Sequence, residues 1–239
     1  MIESTQARYF AAAHARFPRD EDGAYCPVCS ARIPDGCPSC DPCVERSRAI
    51  DRRVYFTSTW SNRVTGDIPR WPWAGGDEWA ASCPRAAEAI ASWEPHSGTG
   101  LAIFGPTGAG KTSALVGAIN RLYQRGLDAC AEGHKPDPPR ILWTSEAALV
   151  RAQREHPLGK GTPDLIRDAS RIRSLVVDEV GFARGEALLM EIVDARYRAE
   201  LPTTITSGRT RADFVEVYGD ALYRRIGSHA TIVDLHGES

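Results

Sequence analysis

Gly105-Pro106-Thr107-Gly108-Ala109-Gly110-Lys111-Thr112 is the stretch that decides how this chain folds. It satisfies the phosphate-loop pattern G-x-x-x-x-G-K-[ST] at every fixed position. Leu101 to Phe104, just before it, is a short apolar run that reads as a buried strand. Residues 112–125, just after it, read as a helix with Leu115, Ile119 and Leu122 on one face. A strand, a glycine-rich turn and a helix N-terminus make an anion site, because backbone N–H groups and the helix dipole point at the same oxygens. Gly105, Pro106, Thr107, Gly108, Ala109, Gly110, Lys111, Thr112 and Ser113 are therefore the candidate set for ATP. The pattern assigns Lys111 to the β- and γ-phosphates and the Thr112 hydroxyl to Mg2+. The chain holds three lysines against twenty-six arginines, so a lysine at this position stands out.

Working outward, apolar strands alternate with helices. Residues 141–144, 174–178, 203–206 and 231–235 read as further strands, and 84–94, 146–155, 164–173, 186–200 and 211–226 as helices. Helix 186–200 is amphipathic, with Leu189, Ile192, Val193 and Tyr197 on its apolar side. The alternation implies a parallel sheet covered on both faces. Upstream, 4–17 and 44–53 read as short helices. Residues 54–80 carry Trp60, Trp71, Trp73 and Trp79 among prolines and glycines, and 128–140 is a polar, proline-rich loop.

Five of the seven cysteines lie between positions 26 and 43. Cys26-Pro-Val-Cys29 and Cys37-Pro-Ser-Cys40 are two knuckles separated by seven residues, a zinc-ribbon spacing in which each tight turn aims two thiolates at one Zn2+. The expected ligands are Cys26, Cys29, Cys37 and Cys40, with Cys43 either spare or in place of Cys37. Four sulfurs close the coordination sphere, so the site is expected to be structural. Cys83 and Cys130 stand alone.

A chain of 239 residues with formal net charge −2 is one large domain, or one domain and a small module, and is no polycation. No apolar run approaches the ~18 residues of a membrane span, and the N-terminus lacks the basic and apolar regions of a secretory signal. A cytoplasmic protein without membrane contact is expected, and its reducing surroundings favour metal binding over disulfides.

Leu175-Val-Val-Asp178-Glu179 is an apolar strand ending in two acids, sixty-seven residues after Lys111. That end of a strand is where α/β sheets bind ligands. Asp178 is the candidate to hold Mg2+ and Glu179 to polarise the attacking water. Together with Ile192-Val-Asp-Ala-Arg-Tyr197, Pro202-Thr-Thr-Ile-Thr-Ser207 and Tyr218-Gly-Asp-Ala-Leu-Tyr-Arg-Arg-Ile226, these residues fall in an order that resembles the DnaC/IstB-like AAA+ ATPases. That group includes helicase loaders and transposition helper ATPases. The resemblance covers residues 68–236. It implies an α/β AAA+ P-loop fold with a parallel five-stranded sheet flanked by helices and no C-terminal lid. The chain then divides into a zinc module (1–50), a linker with the N-terminal AAA+ segment (51–95) and the ATPase core (96–239).

The resemblance also implies roles. Arg225 stands where the family places its arginine finger, with Arg224 beside it. Thr206-Ser207-Gly208 occupies the sensor 1 position, where the family usually has Ser-Asn; Ser207 or Thr206 is then left to meet the γ-phosphate or the water, and hydrolysis is expected to be slow. Ile68 or Trp71 lies where the family's linker crosses the adenine; as core residues, the tryptophans would cover the sheet edge instead. Arg151, Arg154, Lys160, Arg167, Arg171 and Arg173 lie where such ATPases contact DNA. They read equally as solvated helix faces partly neutralised by Glu146, Glu155, Asp164 and Asp168. The implied partners are a replicative DnaB-type helicase, single-stranded DNA and further copies of the chain in an ATP-dependent oligomer. A transposition helper, or an ATP-switched adaptor that hydrolyses negligibly, fits the same motifs.

Overall fold

The computed structural model describes residues 24–26, 29, 31–33, 39–69, 84–91, 93–94 and 97–236. The expectations for helix 4–17, Cys37, Trp71, Trp73, Trp79 and Cys83 lie outside these residues.

Strands β3 (Val64–Gly66), β4 (Gly100–Phe104), β5 (Ile141–Ser145), β6 (Ser174–Val180), β7 (Thr203–Ser207) and β8 (Ala230–Asp234) form one sheet in the order β3-β5-β6-β7-β4-β8. Every pairing is parallel. The sheet thus has six strands rather than the expected five. The added edge strand, β3, is three residues long and largely exposed, so no apolar run announces it. A separate hairpin pairs β1 (Ala24–Tyr25) with β2 (Arg32–Ile33), antiparallel.

Side chains alternate across the sheet because the strand period is two. Leu101, Ile103 and Val176 enter one core with Leu115 and Ile119 of α3 (Lys111–Ala131) and Ile90 of α2 (Pro84–Ala91). Phe104, Leu175, Val177 and Ile205 enter the other. That side is covered by α4 (Glu146–Glu155), α5 (Asp164–Arg171), α6 (Glu186–Arg198), α7 (Arg211–Tyr218) and α8 (Asp220–Gly227). Each fully buried Leu, Ile or Phe contributes about 1.5–3 kcal/mol of transfer free energy, so the two-sided sheet is the dominant source of stability.

Several elements differ from the sequence reading. The helix expected at 44–53 is a 23-residue helix, α1 (Asp41–Arg63), so residue 50 falls inside it. It packs on α3 through Phe56 and Trp60, whose rings lie 5.8 Å and 5.1 Å from Tyr123. Helix α3 runs to Ala131, into the stretch expected as loop. The single helix expected at 211–226 is two helices, because Gly219 adopts φ 81, outside helical space, between them. On α6, Tyr197 is exposed, and Arg196 is buried in its stead.

Arg196 donates to Thr203 Oγ1 at 2.9 Å, to the carbonyls of Ala169 (2.8 Å) and Ile172 (2.7 Å), and to that of Pro202. Burial pushes its pKa down to about 9, which leaves it charged at neutral pH. It ties the end of α6 to the end of α5 and the start of β7. The carbonyls that collect at helix C-termini are natural partners for a cation.

Candidate nucleotide site and cysteine centre

The phosphate loop joins β4 to α3 at the C-terminal edge of the sheet. Gly108 and Gly110 take φ 86 and 77, and Gly110 caps α3. These turns bring the loop amides and the first turn of α3 around one cavity of about 700 Å3. Thr107, Lys111, Thr112, Asp178, Glu179 and Thr206 line it. Asp67, Pro69 and Trp143 also line it, so the stretch just after β3 reaches the site. Ile68 itself packs against the core beneath, as does Trp60.

Lys111 Nζ donates to the carbonyls of Gly105 and Pro106, both at 2.8 Å. Burial pulls its ammonium below the ordinary lysine value, against the opposing pull of Asp178 and Glu179. A phosphate entering the loop would supply the negative charge that this half-buried cation lacks.

Thr112 Oγ1 donates to Asp178 Oδ1 at 3.0 Å. The same oxygen accepts from Thr206 Oγ1, and from the Glu179 N–H at 3.2 Å. Neighbouring oxygens on a Mg2+ octahedron lie ~2.9 Å apart, given bonds of 2.0–2.1 Å, so Thr112 and Asp178 fit two positions of such an ion. Asp178 is buried and Glu179 is exposed to the cavity. Glu179 has φ 57, a left-handed conformation that costs a non-glycine residue ~1–2 kcal/mol. Its N–H is also held by Thr206 Oγ1 at 3.0 Å.

Ser207 does not face the cavity. Its hydroxyl is buried, donates to the Val180 carbonyl at 2.8 Å and accepts from the Arg209 N–H at 3.2 Å. Thr206 takes the cavity-facing position. Beside it, the ring of Phe182, 70% exposed, occupies the space over Gly208. A Cβ on residue 208 would meet Phe182 Cζ at 2.8 Å, a contact the exposed ring can relieve by turning away.

Arg225 lies on α8 and does not line the cavity. Its Nε donates to Asp194 Oδ1 at 2.9 Å, and its guanidinium lies 6.0 Å from the Tyr197 ring centroid. Arg224 is more exposed and pairs with Asp220 at 2.8 Å. Arg151, Arg154, Lys160, Arg167, Arg171 and Arg173 are all exposed on α4, α5 and their flanking loops. Glu146, read from sequence as a solvated acid, is buried at 1% exposure.

The second centre brings together Cys26, Cys29, Cys40 and Cys43, whose sulfurs all lie within 4.8 Å of one another. Cys26 follows β1, and Cys29 lies in the turn before β2. Cys40 caps α1, and Cys43 sits in its first turn. The positive end of the helix dipole favours thiolates at both places. The Cys43 thiol is pushed above its ordinary value by hydrogen bonds with Cys40 and Cys29 and by burial. Four tetrahedral sulfurs 2.3 Å from Zn2+ stand ~3.8 Å apart, so this cluster fits the ion as a closed set of four thiolates. Among the described residues the cluster is the register with Cys43, one of the two that the spacing leaves open; Cys37 lies outside those residues.

Among the described residues no helix is long and apolar enough to cross a membrane. Residues 90–239 match the family model described as IstB-like ATP binding protein. Among solved structures the chain is similar to DnaI, at 21% identity and TM-score 0.47, covering 65% of this chain and 80% of that one. It is similar to the DnaC helicase loader, at 18% identity and TM-score 0.47, covering 74% and 98%. It is also similar to domain III of the replication initiation protein DnaA from Thermotoga maritima, at 19% identity and TM-score 0.48, covering 72% and 70%. No curated protein matches the chain at a significant level.

Proposed function

The chain belongs to the family of IstB-like ATP binding proteins, and from that premise we propose that it is an ATP-dependent helicase loader. In this reading it binds a replicative DnaB-type ring helicase and helps to place it on single-stranded DNA.

The loop amides and Lys111 hold the phosphates of ATP; Thr112 and Asp178 would hold Mg2+, which would supply positive charge to the transferring phosphate. Glu179 orients a water whose oxygen attacks the γ-phosphorus. The bond to the β–γ bridging oxygen breaks, leaving ADP and phosphate. Thr206 positions Asp178 and the Glu179 backbone. Arg225 of a neighbouring copy stabilises the charge on the transferring group, which makes turnover depend on assembly. Gly208, with no side-chain amide, keeps that turnover slow.

The observation that carries the loader reading is the layout of the chain. A four-cysteine cluster caps the 23-residue helix α1, whose other end runs directly into the edge strand of the ATPase sheet. At 1.5 Å per residue such a helix spans ~35 Å. A partner held at the zinc end is thereby tied mechanically to the nucleotide end. The exposed basic residues of α4 and α5 are the proposed contacts to nucleic-acid phosphates.

A second reading, a transposition helper that binds duplex DNA and a transposase, is favoured by the family model itself, which carries the IstB name. ATP turnover measured with single-stranded and with duplex DNA separates the two. Stimulation by single strands supports the loader, stimulation by duplex alone supports the helper, and no turnover in any condition rejects both as active ATPases.

A further inference from the structure

Glu146 opens α4 immediately after β5, and its carboxylate is turned inward beneath residues 181–185. Oε2 accepts from the N–H groups of Gly181 (2.9 Å), Phe182 (3.2 Å) and Ala183 (3.2 Å). Oε1 accepts from Gly185 N–H at 2.9 Å and from the Tyr218 hydroxyl at 2.6 Å. One side chain thus satisfies four backbone donors of a loop that has no secondary structure to satisfy them. A buried donor that loses its acceptor pays its desolvation in full, so these bonds hold or fail together.

That loop starts two residues after Glu179. Between them the backbone passes through Glu179 at φ 57 and Gly181 at φ 121. The Gly181 carbonyl is gripped from the other side by Arg209, whose Nε and Nη2 donate at 3.1 and 2.8 Å. The carboxylate on the amides and the guanidinium on the carbonyl clamp this segment from two sides. A non-glycine residue keeps a left-handed backbone only where its surroundings over-determine it. Tyr218 adds a third tie, because it ends α7, one glycine before the helix that carries Arg225.

We infer that Glu146 and Tyr218 are positioning residues for hydrolysis: they fix the segment that follows Glu179, and so aim Glu179, and they join that segment to the helix pair that bears Arg225. Neither touches nucleotide, since neither lines the cavity. The inference rests on the ATPase reading above.

The test compares Glu146→Gln and Tyr218→Phe with the unchanged chain in three measurements: steady-state ATP turnover, affinity for a fluorescent non-hydrolysable ATP analogue, and amide hydrogen exchange across 179–185. Glutamine keeps the shape but sets an NH2 group against N–H donors. The expected result for Glu146→Gln is a fall in kcat of about 10- to 100-fold, the scale of a misplacement near 1 Å, with analogue affinity within about 2-fold. Exchange at 181–185 should quicken while the sheet stays protected. Tyr218→Phe, which removes one bond and leaves the charge, should lower kcat by a smaller factor in the same pattern. Unchanged kcat in both variants, with exchange altered or not, overturns the inference and leaves the ATPase reading standing. A parallel loss of affinity, turnover and cooperative unfolding in both variants also overturns it, since it shows a purely structural role. No turnover by the unchanged chain removes the ATPase reading, and the inference with it.

Discussion

The Thr112 hydroxyl and Asp178 Oδ1 lie 3.0 Å apart although sixty-six residues separate them in the chain. One comes from the first turn of α3 and the other from β6, and the parallel sheet brings both to the same edge. This pairing is the basis for a first prediction. Asp178→Asn keeps the hydrogen-bonding shape and removes the charge a divalent ion needs. ATP turnover should fall by at least about 100-fold, the usual scale for a lost electrostatic stabiliser. Titration of turnover against Mg2+ should show a raised requirement. Turnover unaffected by Asp178→Asn would place the metal elsewhere.

The cysteine centre makes a second prediction. The protein purified with zinc should hold one ion per chain. Cys26→Ser, Cys40→Ser and Cys43→Ser should each lose it, because structural zinc supplies folding free energy directly. Elemental analysis of the three variants beside Cys37→Ser decides the ligand set. Retention of zinc by Cys43→Ser together with its loss in Cys37→Ser would restore the ligand set expected from the spacing.

Acid stability gives a third. Burial alone would raise the Glu146 carboxyl, but the bonds from Tyr218 and the Gly181, Ala183 and Gly185 amides outweigh it and hold the group below its ordinary value. A carboxyl lowered by folding stabilises the folded state fully above its unfolded value, near ~4.3. That contribution is lost as pH falls through the lowered value. The Tm gap between the unchanged chain and Glu146→Gln should therefore be constant from pH 8 to about pH 5 and shrink below ~4.3. A gap that widens on acidification would contradict the hydrogen-bond account.

Arg196 gives a fourth. Replacing it by Met leaves the Ala169, Ile172 and Pro202 carbonyls without their donor. The cost should be about 3 kcal/mol or more, given ~1–3 kcal/mol for each unsatisfied buried group. For a chain of this size that lowers Tm by roughly 6–12 °C. Thermal unfolding measures it directly, and a shift below about 2 °C, the scale of less than 1 kcal/mol, would show that the guanidinium is not needed there.

Legibility from sequence follows the range of the interactions. The phosphate loop, the apolar run from Leu101 to Phe104 and the acids ending β6 are contiguous, so their spacing alone reveals them. The roles of Glu146 and Arg196 are not visible that way, because their partners are backbone amides and carbonyls, which every residue carries. Glu146 meets Gly185 thirty-nine residues away and Tyr218 seventy-two away, and no side-chain pattern marks either contact. The edge strand β3 is hidden for another reason, since three mostly exposed residues carry no periodicity. The closeness of Cys43 to Cys40 follows from where α1 begins. The sequence reading starts that helix at residue 44, whereas Cys40 is its cap and Cys43 lies in its first turn, which brings both sulfurs to one point.

The most direct test of the loader account is capture of a replicative ring helicase by the zinc-replete full chain, with ATP, without nucleotide, and with Lys111→Ala. The account predicts capture that requires ATP and is lost in Lys111→Ala. Absence of capture in every nucleotide state, from folded protein and the cognate helicase, would contradict it and move the assignment to the transposition helper.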